Sequence, residues 1–291
     1  MLEQVTACPI CGEKEFTKHI ETLDYTTTRE SFSIQRCKQC SLLLTNPRPD
    51  KASIGKYYQS ENYISHTGGG SGLIDNIYRT VRNITLKRKL SLINKYQSKF
   101  NLIDYGCGTG EFLATCKDAG WTVAGVEPSD DARTKNRKDL LVVDSLSKIT
   151  TQANAITLWH VLEHIHELNE TLARLRSLLT NNGTIFIAVP NHESYDARYY
   201  QNFWAGYDVP RHLWHFNKEN LKTLLTRHNL RLQAIVPMKF DSYYVSLLSE
   251  GYKHPGRSSL IKTASAFTRG FISNLAAGKD NHSSLIYIAG S

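Results

Sequence analysis

A strand-like run leads into a glycine-rich turn and then into a helix-like run at residues 102–113, Leu-Ile-Asp-Tyr-Gly-Cys-Gly-Thr-Gly-Glu-Phe-Leu. Such a turn needs glycine because a side chain would block the approach of a ligand to the backbone. A dinucleotide fingerprint requires G-x-G-x-x-G, but Gly110 comes one residue early and Glu111 takes the position of the third glycine. The sequence therefore disfavours a nicotinamide or flavin dinucleotide at this turn.

Two carboxylates flank the same turn, one from Asp104 and one from Glu111. A helix N-terminus that receives a pyrophosphate gains from the lack of nearby negative charge, whereas these carboxylates suit a ligand with an ammonium or sulfonium group. S-adenosylmethionine is a ligand of this kind, and we expect it as the cofactor.

The next strand-like run, Val123–Val126, ends in Glu127. A carboxylate roughly 20 residues after the turn can accept hydrogen bonds from both hydroxyls of a ribose. An acidic residue at a strand end can equally be a surface group or a helix cap, and a G-x-G-x-G turn alone is a weak motif. The two features together indicate a nucleoside site with Glu127 on the ribose.

Short apolar runs alternate with helix-like segments through the rest of this region, as expected for a parallel sheet with crossover helices. We predict strands at 100–105, 121–127, 139–143, 155–160 and 184–189, and helices at 110–119, 129–137 and 167–179. A helix near 217–229, a strand near 230–238 and a final strand over Leu285–Ala289 complete the pattern. The predicted fold is α/β, with a doubly wound, mostly parallel seven-stranded sheet whose last strand is antiparallel.

These motifs resemble those of class I S-adenosylmethionine-dependent methyltransferases over residues 100 to 240. The resemblance rests on D-x-G-x-G-x-G at 104–110, on the acidic end of the second strand, and on Leu-Trp-His-Val-Leu-Glu-His at 158–164. One departure is Asn154, where many relatives have Asp, at a position that is chiefly structural.

The resemblance also implies roles for individual residues. It places the methionine part of the cofactor on the glycine turn, the ribose on Glu127, adenine on Asp144 or Ser145, and Trp159 and His160 along the pocket. The turn residues concerned are Asp104, Gly106, Cys107, Gly108 and Gly110.

Two C-x2-C pairs stand near the N-terminus, Cys8 with Cys11 and Cys37 with Cys40. Four thiolates at such spacing suit a tetrahedral zinc ion, although the interval between the pairs is longer than usual. Four unligated buried thiols are the alternative. Because four protein ligands leave no open coordination position, we expect a structural zinc rather than a catalytic one.

The motifs divide the chain into three parts. Residues 1–50 form a zinc-ribbon module that the Asn-Pro-Arg-Pro run closes, and 51–96 form a Tyr/Gly-rich connector with a lead-in helix over 73–96. We expect the glycines at 68–72 to make the connector a mobile loop, able to act as a lid. Residues 97–291 form the methyltransferase domain with C-terminal aromatic and helical insertions, and the role of 241–282 is left open.

A loop after the fifth strand, residues 208–217, carries two histidines, an arginine and several aromatic residues. It faces the carboxyl ends of the strands, where sites of α/β proteins lie. It resembles the corresponding loop of zinc-ribbon sugar C-methyltransferases, which have a Glu-His pair there. Arg211 replaces that Glu, so Glu163 or Asp208 would have to supply the carboxylate that orients the histidine.

The resemblance makes His212 the first candidate for a general base, since methyl transfer to a weak nucleophile needs one to remove a proton. Packing of His212 and His215 as aromatic-like residues explains the same positions equally well. His164 ranks next, although it could simply cap a helix. Tyr63, in the connector, is a weaker candidate for contact with the substrate.

Composition and charge narrow the class of protein. The chain has no run of about 18 apolar residues and no secretory-type leader, so we expect a cytoplasmic protein without a membrane span. The net charge of +8 is spread along the chain, which gives only weak support for nucleic acid as a partner.

The leading hypothesis is methyl transfer to a small molecule such as a nucleotide sugar or glycan precursor. The alternatives are an RNA methyltransferase that binds its substrate through the zinc module, and a non-catalytic cofactor-binding protein. An RNA enzyme acting on exocyclic amines would carry Asn/Asp-Pro-Pro-aromatic where this chain has Trp159-His160-Val161, and a pyrimidine C5 enzyme would need a cysteine there. The oligomeric state is not predicted.

Overall fold

The computed structural model describes residues 1–59, 73–278 and 280–291, with the side chains of 73–80 excepted. Tyr63 and the glycines at 68–72 lie outside the described residues, so their predicted roles stay predictions. The described helices include none with the length and apolarity needed to cross a bilayer.

The N-terminal region is built of short strands. They are β1 (Leu2–Glu3), β2 (Phe16–Leu23), β3 (Ser31–Cys37), β4 (Leu43–Thr45) and β5 (Arg48–Pro49). Strands β2, β3 and β4 pair antiparallel in chain order, and β1 pairs antiparallel with β5. A single 3-10 turn, Ile54–Tyr58, follows.

An α/β unit follows from the first long helix onward. Its helices are α1 (Leu73–Tyr96), α2 (Glu111–Asp118), α3 (Asp130–Arg133), α4 (Leu168–Leu178), α5 (Tyr195–Tyr200), α6 (Lys218–Arg227), α7 (Asp241–Lys253) and α8 (Ser259–Ala276). Its strands are β6 (Asn101–Tyr105), β7 (Thr122–Val126), β8 (Leu141–Val143), β9 (Ala153–Trp159), β10 (Leu179–Pro190), β11 (Trp214–His215), β12 (Arg231–Pro237) and β13 (Ser284–Gly290).

Seven of these strands form one sheet in the order β12-β13-β10-β9-β6-β7-β8. The pairs from β10 to β8 are parallel, while β13 runs antiparallel to both β10 and β12. The predicted α/β sheet with an antiparallel last strand is confirmed. Strand order reverses between β6 and β9, and ligands of open α/β sheets bind at the carboxyl ends of strands at such a switch point.

Several elements are shorter than the sequence predicts, among them helix α3 and strand β8. Helix α3 ends after one turn, and Asn136 then donates a hydrogen bond to the carbonyl of Gly108 at 3.0 Å. Strand β8 begins at Leu141 rather than 139, because Asp139 is engaged by ion pairs with Lys117 and Arg137.

The core fills both faces of the sheet. Successive residues of β10 alternate between the two faces, with Ile187 in one apolar cluster and Phe186 in the other. The cluster around Ile187 also includes Cys8, Leu44 and Trp214, so the N-terminal region packs directly on the α/β core.

Strand β11 belongs to the N-terminal sheet, whose order is β11-β4-β3-β2. Trp214 and His215 pair antiparallel with Leu44 and Leu43. The loop that contains β11 is therefore held between the N-terminal region and the main sheet.

Candidate active site

The glycine turn joins β6 to α2, and three of its glycines have positive φ, +75° at Gly106, +55° at Gly108 and +72° at Gly110. At Gly106 the amide donates to the carbonyl of Val126 at 2.7 Å, and a Cβ atom would collide with the side chain of Val161. The turn is thus pressed between the end of β7 and the residues that follow β9.

Gly108 differs from its neighbours because a Cβ atom placed there would meet no described atom within 4 Å. Its amide donates to Glu127 Oε2 at 2.9 Å, and Glu127 Oε1 accepts from the amide of Ser129 at 2.9 Å. The carboxylate at the end of β7 therefore borders an open space beside the turn, which leaves room for a ligand against the backbone.

Asp104 lies at the end of β6 and is 2% exposed. Burial raises the pKa of its carboxyl to about 7, although the hydroxyl of Thr157, which donates at 2.6 Å, and the ammonium of Lys89 act in the opposite direction. Glu127 adds to the upward shift. A cationic ligand group beside Asp104 would favour the ionised form.

The thiol of Cys107 is buried against β7, where its sulfur would lie only 2.6 Å from a Cβ atom on Gly125. Only the backbone of Cys107 therefore contributes to the turn. Asp144 and Ser145, after β8, are both exposed. Asp144 accepts from Lys148 Nζ at 2.9 Å, and Ser145 caps the short turn that follows it. The two candidate adenine contacts lie beyond β7, next to the strand that ends in Glu127.

Trp159 ends β9, with its ring edge-on to Phe112 at a centroid distance of 5.3 Å and Lys89 Nζ 4.4 Å from its centroid. Its indole N–H is buried and has no hydrogen-bond partner within the described part of the chain. An unpaired buried donor of this kind is available to a ligand.

His160 follows directly, with a positive φ of +58°. Its Nε2 lies 2.9 Å from Asp241 Oδ2, and its Nδ1 lies 3.4 Å from Glu163 Oε1. Burial lowers the pKa of the imidazole, but the two carboxylates outweigh this effect and raise it to about 9. His160 therefore links the cofactor side of the site to α7 through Asp241.

Glu163 is the centre of a cluster of histidines. It is 1% exposed, and its nearest ring nitrogen is His160 Nδ1, 3.4 Å from Oε1. Burial alone would raise its pKa, but His160, His212 and His164 outweigh burial and lower it. The carboxylate is thus kept charged between three imidazoles.

His212 is buried in the loop after α5, and its Nδ1 lies 2.9 Å from the carbonyl of Gly206. A carbonyl can only accept, so Nδ1 carries the proton and Nε2 keeps its lone pair when the ring is neutral. Nε2 lies 3.9 Å from Glu163 Oε1 and 4.0 Å from Asp208 Oδ2. Two carboxylates therefore stand where they would stabilise the imidazolium after a proton is taken up.

His164 lies edge-on to the ring of His212, with centroids 4.6 Å apart. Its Nδ1 is within hydrogen-bond distance of the hydroxyl of Tyr58, at 3.0 Å, and of the carbonyl of Arg211, at 3.1 Å. Burial and the neighbouring His212 lower the pKa of His164 to about 4. The residue is held by its neighbours as a neutral ring.

His215 does not join this group. It lies in β11, buried, with Nε2 3.1 Å from the hydroxyl of Thr45 in β4. Its position is that of a residue in the N-terminal sheet.

Arg211 precedes His212 in this loop and is 1% exposed. Its Nε and Nη2 donate to the two oxygens of Asp208 at 2.9 and 2.6 Å, Nη2 also donates to Asp24 at 3.0 Å, and Nη1 donates to the carbonyl of Tyr57 at 2.7 Å. Burial alone would raise the pKa of Asp208, but Arg211 outweighs it and lowers that pKa. The loop of His212 is thereby fastened to the N-terminal region.

Asp24 is a residue that the sequence did not single out. It is fully buried in the turn between β2 and β3, and its carboxylate also accepts from the amides of Thr26, Thr27 and Thr28. No periodicity or motif marks this position, because its partner Arg211 is 187 residues away in the chain.

The four cysteine sulfurs of the N-terminal region converge, and none of them is in a disulfide. All four Sγ atoms lie within 4.8 Å of one another, with Cys8 and Cys40 at 3.5 Å and Cys11 and Cys37 at 3.4 Å. Tetrahedral zinc with Zn–S bonds of about 2.3 Å separates its sulfurs by about 3.8 Å. The cluster is consistent with a zinc site.

The described residues contain one other group of potential metal ligands whose ligand atoms lie within 4.8 Å of one another. It consists of Glu163, His164 and His212. Two imidazoles and one carboxylate could hold a divalent cation as well as act in proton transfer. The two roles make opposite predictions for the effect of an added divalent metal on turnover.

The switch-point turn, its carboxylates and the sheet order define a class I S-adenosylmethionine-dependent methyltransferase. Residues 76–235, more than half of the chain, match a family described as "Methyltransferase domain", and the chain belongs to that family. No curated protein matches the sequence.

Solved structures share the fold. Magnesium protoporphyrin IX methyltransferase from Synechocystis PCC 6803 is 12% identical with a TM-score of 0.53, over 83% of this chain and 99% of that one. An S-adenosylmethionine-dependent methyltransferase from Archaeoglobus fulgidus is 22% identical with a TM-score of 0.47, over 72% and 94%.

Proposed function

We propose that this enzyme methylates a small-molecule acceptor, such as a nucleotide sugar or a glycan precursor, at a position that must lose a proton. The observation that carries this proposal is the fixed tautomer of His212. Its Nδ1 proton is committed to Gly206, and its free Nε2 faces Glu163 and Asp208. A structurally similar enzyme, magnesium protoporphyrin IX methyltransferase, is named for a small-molecule acceptor, which is compatible with this proposal.

The cofactor, which supplies a methyl group bound to a sulfonium, would lie in the open space at Gly108. Asp104 and the backbone of residues 106–110 would hold its methionine part, and Glu127 would accept from the ribose hydroxyls. The buried N–H of Trp159, which lacks a partner in the described part of the chain, would donate to the ligand.

His212 would remove the acceptor proton through Nε2. Glu163 would stabilise the resulting imidazolium from 3.9 Å, taking the part that Arg211 cannot take because a guanidinium is itself a cation. His160, paired with Glu163 and Asp241, would connect this proton-transfer group to the cofactor side. His164 would pack against His212 and keep its ring in place.

The cofactor site is tested by ligand-induced thermal stabilisation. S-adenosylhomocysteine should raise the melting temperature because a ligand that binds only the native state stabilises it by mass action, and NAD should not. Glu127→Ala should abolish the shift, whereas Glu219→Ala, an exposed glutamate on α6, should leave it unchanged. Equal shifts with both ligands would overturn the assignment of this site.

The acceptor class is tested by transfer of a labelled methyl group. Nucleotide sugars, other glycan precursors, quinones and RNA are offered in parallel, and we expect label in a sugar-containing fraction. Label in RNA alone would replace the proposal with a nucleic-acid acceptor.

We also propose that Cys8, Cys11, Cys37 and Cys40 hold one structural zinc ion per chain. Elemental analysis of freshly prepared, reduced protein should give one equivalent, and Cys37→Ser should release it. The control is Cys116→Ser, since Cys116 is equally buried in α2 but lies outside the cluster. Zinc near zero in the wild-type protein would exclude the metal.

A further inference from the structure

Lys89 lies on the face of helix α1 that packs against the main sheet. Leu86 and Ile93, one turn before and one turn after it, both belong to the apolar cluster on that face of the sheet. Lys87, two positions earlier, is exposed, whereas Lys89 is partly buried. A lysine in such a position keeps its stem against apolar groups and carries its ammonium to the edge of the core.

The ammonium of Lys89 reaches the carboxyl ends of strands β6 and β9. Its Nζ lies 4.4 Å from the ring centroid of Trp159, which ends β9, and 5.9 Å from that of Phe112 in the first turn of α2. The carboxylates that act on it are Asp241 and Asp104, and Asp104 lies near the end of β6. The lysine of α1 therefore lies at the same end of the sheet as the glycine turn.

Neither carboxylate is a close partner for this cation. Asp241 lies 2.9 Å from His160 Nε2, and Asp104 accepts from the hydroxyl of Thr157 at 2.6 Å. Lys89 itself forms no ion pair and donates no hydrogen bond within the part of the chain that the structure describes. Burial lowers the pKa of its ammonium, and the two carboxylates offset this effect only in part. Because a desolvated charge is costly without a partner, the position favours an anionic ligand group.

The chemistry of the cofactor supplies such a group. S-adenosylmethionine ends in an α-amino acid, whose ammonium and carboxylate are attached to one carbon. If Asp104 receives the ammonium, the carboxylate needs a cation nearby, and Lys89 is the cation that acts on Asp104. Trp159 adds a buried indole N–H that lacks a partner among the described residues and can donate to the same anion.

We infer that Lys89 binds the carboxylate of the methionine part of the cofactor, so that Asp104 and Lys89 hold the two charges of the amino acid. This inference rests on the proposed cofactor site at Gly108. Lys89 is then a specificity-determining residue, because it selects ligands that carry the complete amino acid over ligands that carry only the nucleoside.

Calorimetric titration with three ligands tests this role without any acceptor. They are S-adenosylhomocysteine, its decarboxylated analogue, which keeps the ammonium, and methylthioadenosine, which lacks the amino acid altogether. The wild-type protein should bind S-adenosylhomocysteine at least about tenfold more tightly than the decarboxylated analogue, because a hydrogen bond between two charged groups is among the stronger ones. Lys89→Met should raise Kd for S-adenosylhomocysteine at least about tenfold and should not weaken binding of the other two ligands.

Two variants serve as controls. Lys87→Met removes the same charge from an exposed position of the same helix and should bind all three ligands like the wild type. Lys89→Arg keeps a cation and should keep the preference for S-adenosylhomocysteine over its decarboxylated analogue. Binding of methylthioadenosine shows that the nucleoside part of the site is intact in each variant.

An equal loss of all three ligands in Lys89→Met would make Lys89 a packing residue and overturn the inference. Equal binding of S-adenosylhomocysteine and its decarboxylated analogue by the wild-type protein would also overturn it, while leaving the cofactor site in place. Binding of none of the three ligands would instead overturn the cofactor site, and this inference with it. Glu127→Ala should weaken all three ligands, since all contain the ribose, which separates the test of the site from the test of Lys89.

Discussion

The two halves of the proposed active site are built in different ways. Apart from Lys89, Trp159 and His160, the cofactor half lies in one continuous stretch, residues 101–148, in which Gly108 meets a carboxylate only 19 positions away. The acceptor half brings together Asp24, Tyr58, Glu163 and His212, and the bond between Arg211 and Asp24 spans 187 positions. One half is a local motif, and the other exists only after the N-terminal region has packed on the sheet.

Because the two halves are built separately, cofactor affinity and the position of the His212 loop should respond to different mutations. A change in the cofactor half should alter cofactor affinity directly, with little effect on the loop of His212. A change in the buried ion pairs of the acceptor half should alter the position of that loop and leave the turn at Gly108 intact. The following predictions test that separation, beginning with the largest effect.

Replacing the base should have the largest effect and should be confined to the acceptor half. We expect His212→Ala to lower kcat by about 10²- to 10⁴-fold, the usual contribution of a positioned general base, with the affinity for S-adenosylhomocysteine unchanged. Single-turnover transfer of labelled methyl and calorimetric titration of the cofactor product measure the two quantities. Near-normal turnover in this variant would make His212 a packing residue.

Two controls distinguish proton transfer by His212 from a packing or metal-binding role of Glu163, His164 and His212. His164→Ala should reduce turnover less than His212→Ala does, because it removes a ring that supports the base rather than the base itself. Added Mg²⁺ or Mn²⁺ should leave the turnover of the wild-type enzyme unchanged. Stimulation by either ion would instead identify Glu163, His164 and His212 as metal ligands.

Breaking the buried ion pairs should destabilise the protein by about 3–5 kcal/mol, since Arg211→Met leaves the carboxylates of Asp24 and Asp208 without their cation. The matched control is Arg137→Met in the cofactor half, whose ion pairs with Asp118 and Asp139 are exposed, so the loss of stability should be much smaller. Denaturant unfolding gives both free energies. Similar losses in the two variants would remove the distinction between the halves.

Cofactor affinity should depend on pH through Asp104, whose folded-state pKa of about 7 lies above its ordinary value of 3.8. Because the ligand ammonium favours the ionised carboxylate, we expect Kd for S-adenosylhomocysteine to rise roughly tenfold between pH 8 and pH 6. Asp104→Asn should flatten this dependence. A wild-type profile that stays flat over this range would argue against contact between Asp104 and the ligand.

The raised pKa of Asp104 also makes the stability of the ligand-free protein depend on pH, in the direction opposite to its effect on ligand affinity. A carboxyl whose pKa is raised on folding contributes stability that is fully present below about pH 4 and is lost as the pH rises through 7. The ligand-free protein should therefore lose part of its stability over the range in which ligand affinity increases, and the difference should vanish in Asp104→Asn.

The smallest effect is expected at the exposed end of the cofactor half. Asp144→Ala should weaken binding of S-adenosylhomocysteine by only about 2- to 5-fold, because water competes for the hydrogen bonds of a solvent-exposed carboxylate. Ser145→Ala, measured in the same titration, shows which of the two residues contacts adenine. A loss of about 100-fold in either variant would mean that this contact is buried in the complex.

Sequence alone was sufficient for the α/β sheet because its signals are local. The alternation of apolar runs gave the seven strands, and the glycine turn marked the switch point at β6. The cysteine pairs likewise indicated a cluster from spacing alone. The roles predicted for the individual site residues, and the boundary of the N-terminal module at residue 50, stay predictions.

The contacts of Arg211 could not be predicted in this way. The sequence shows an arginine where related sugar enzymes have a glutamate, but it does not show that Asp24 lies within 3.0 Å. The helices α7 and α8 escaped prediction for a related reason, since α8 buries small residues and exposes large ones. A pattern of apolar residues shows that a face exists, but only packing decides which face turns inward.

Strand β11 has a consequence for the order in which the protein can be made. The backbone groups of Leu43 and Leu44 receive their partners from Trp214 and His215, so a nascent chain carries an open strand edge until residue 215 has left the ribosome. The cysteine cluster can gather its ligands once residue 40 has emerged, well before that edge is closed. Capture of the proposed zinc and closure of the N-terminal sheet would thus be separate events in translation, and the loop that carries His212 would settle only with the second.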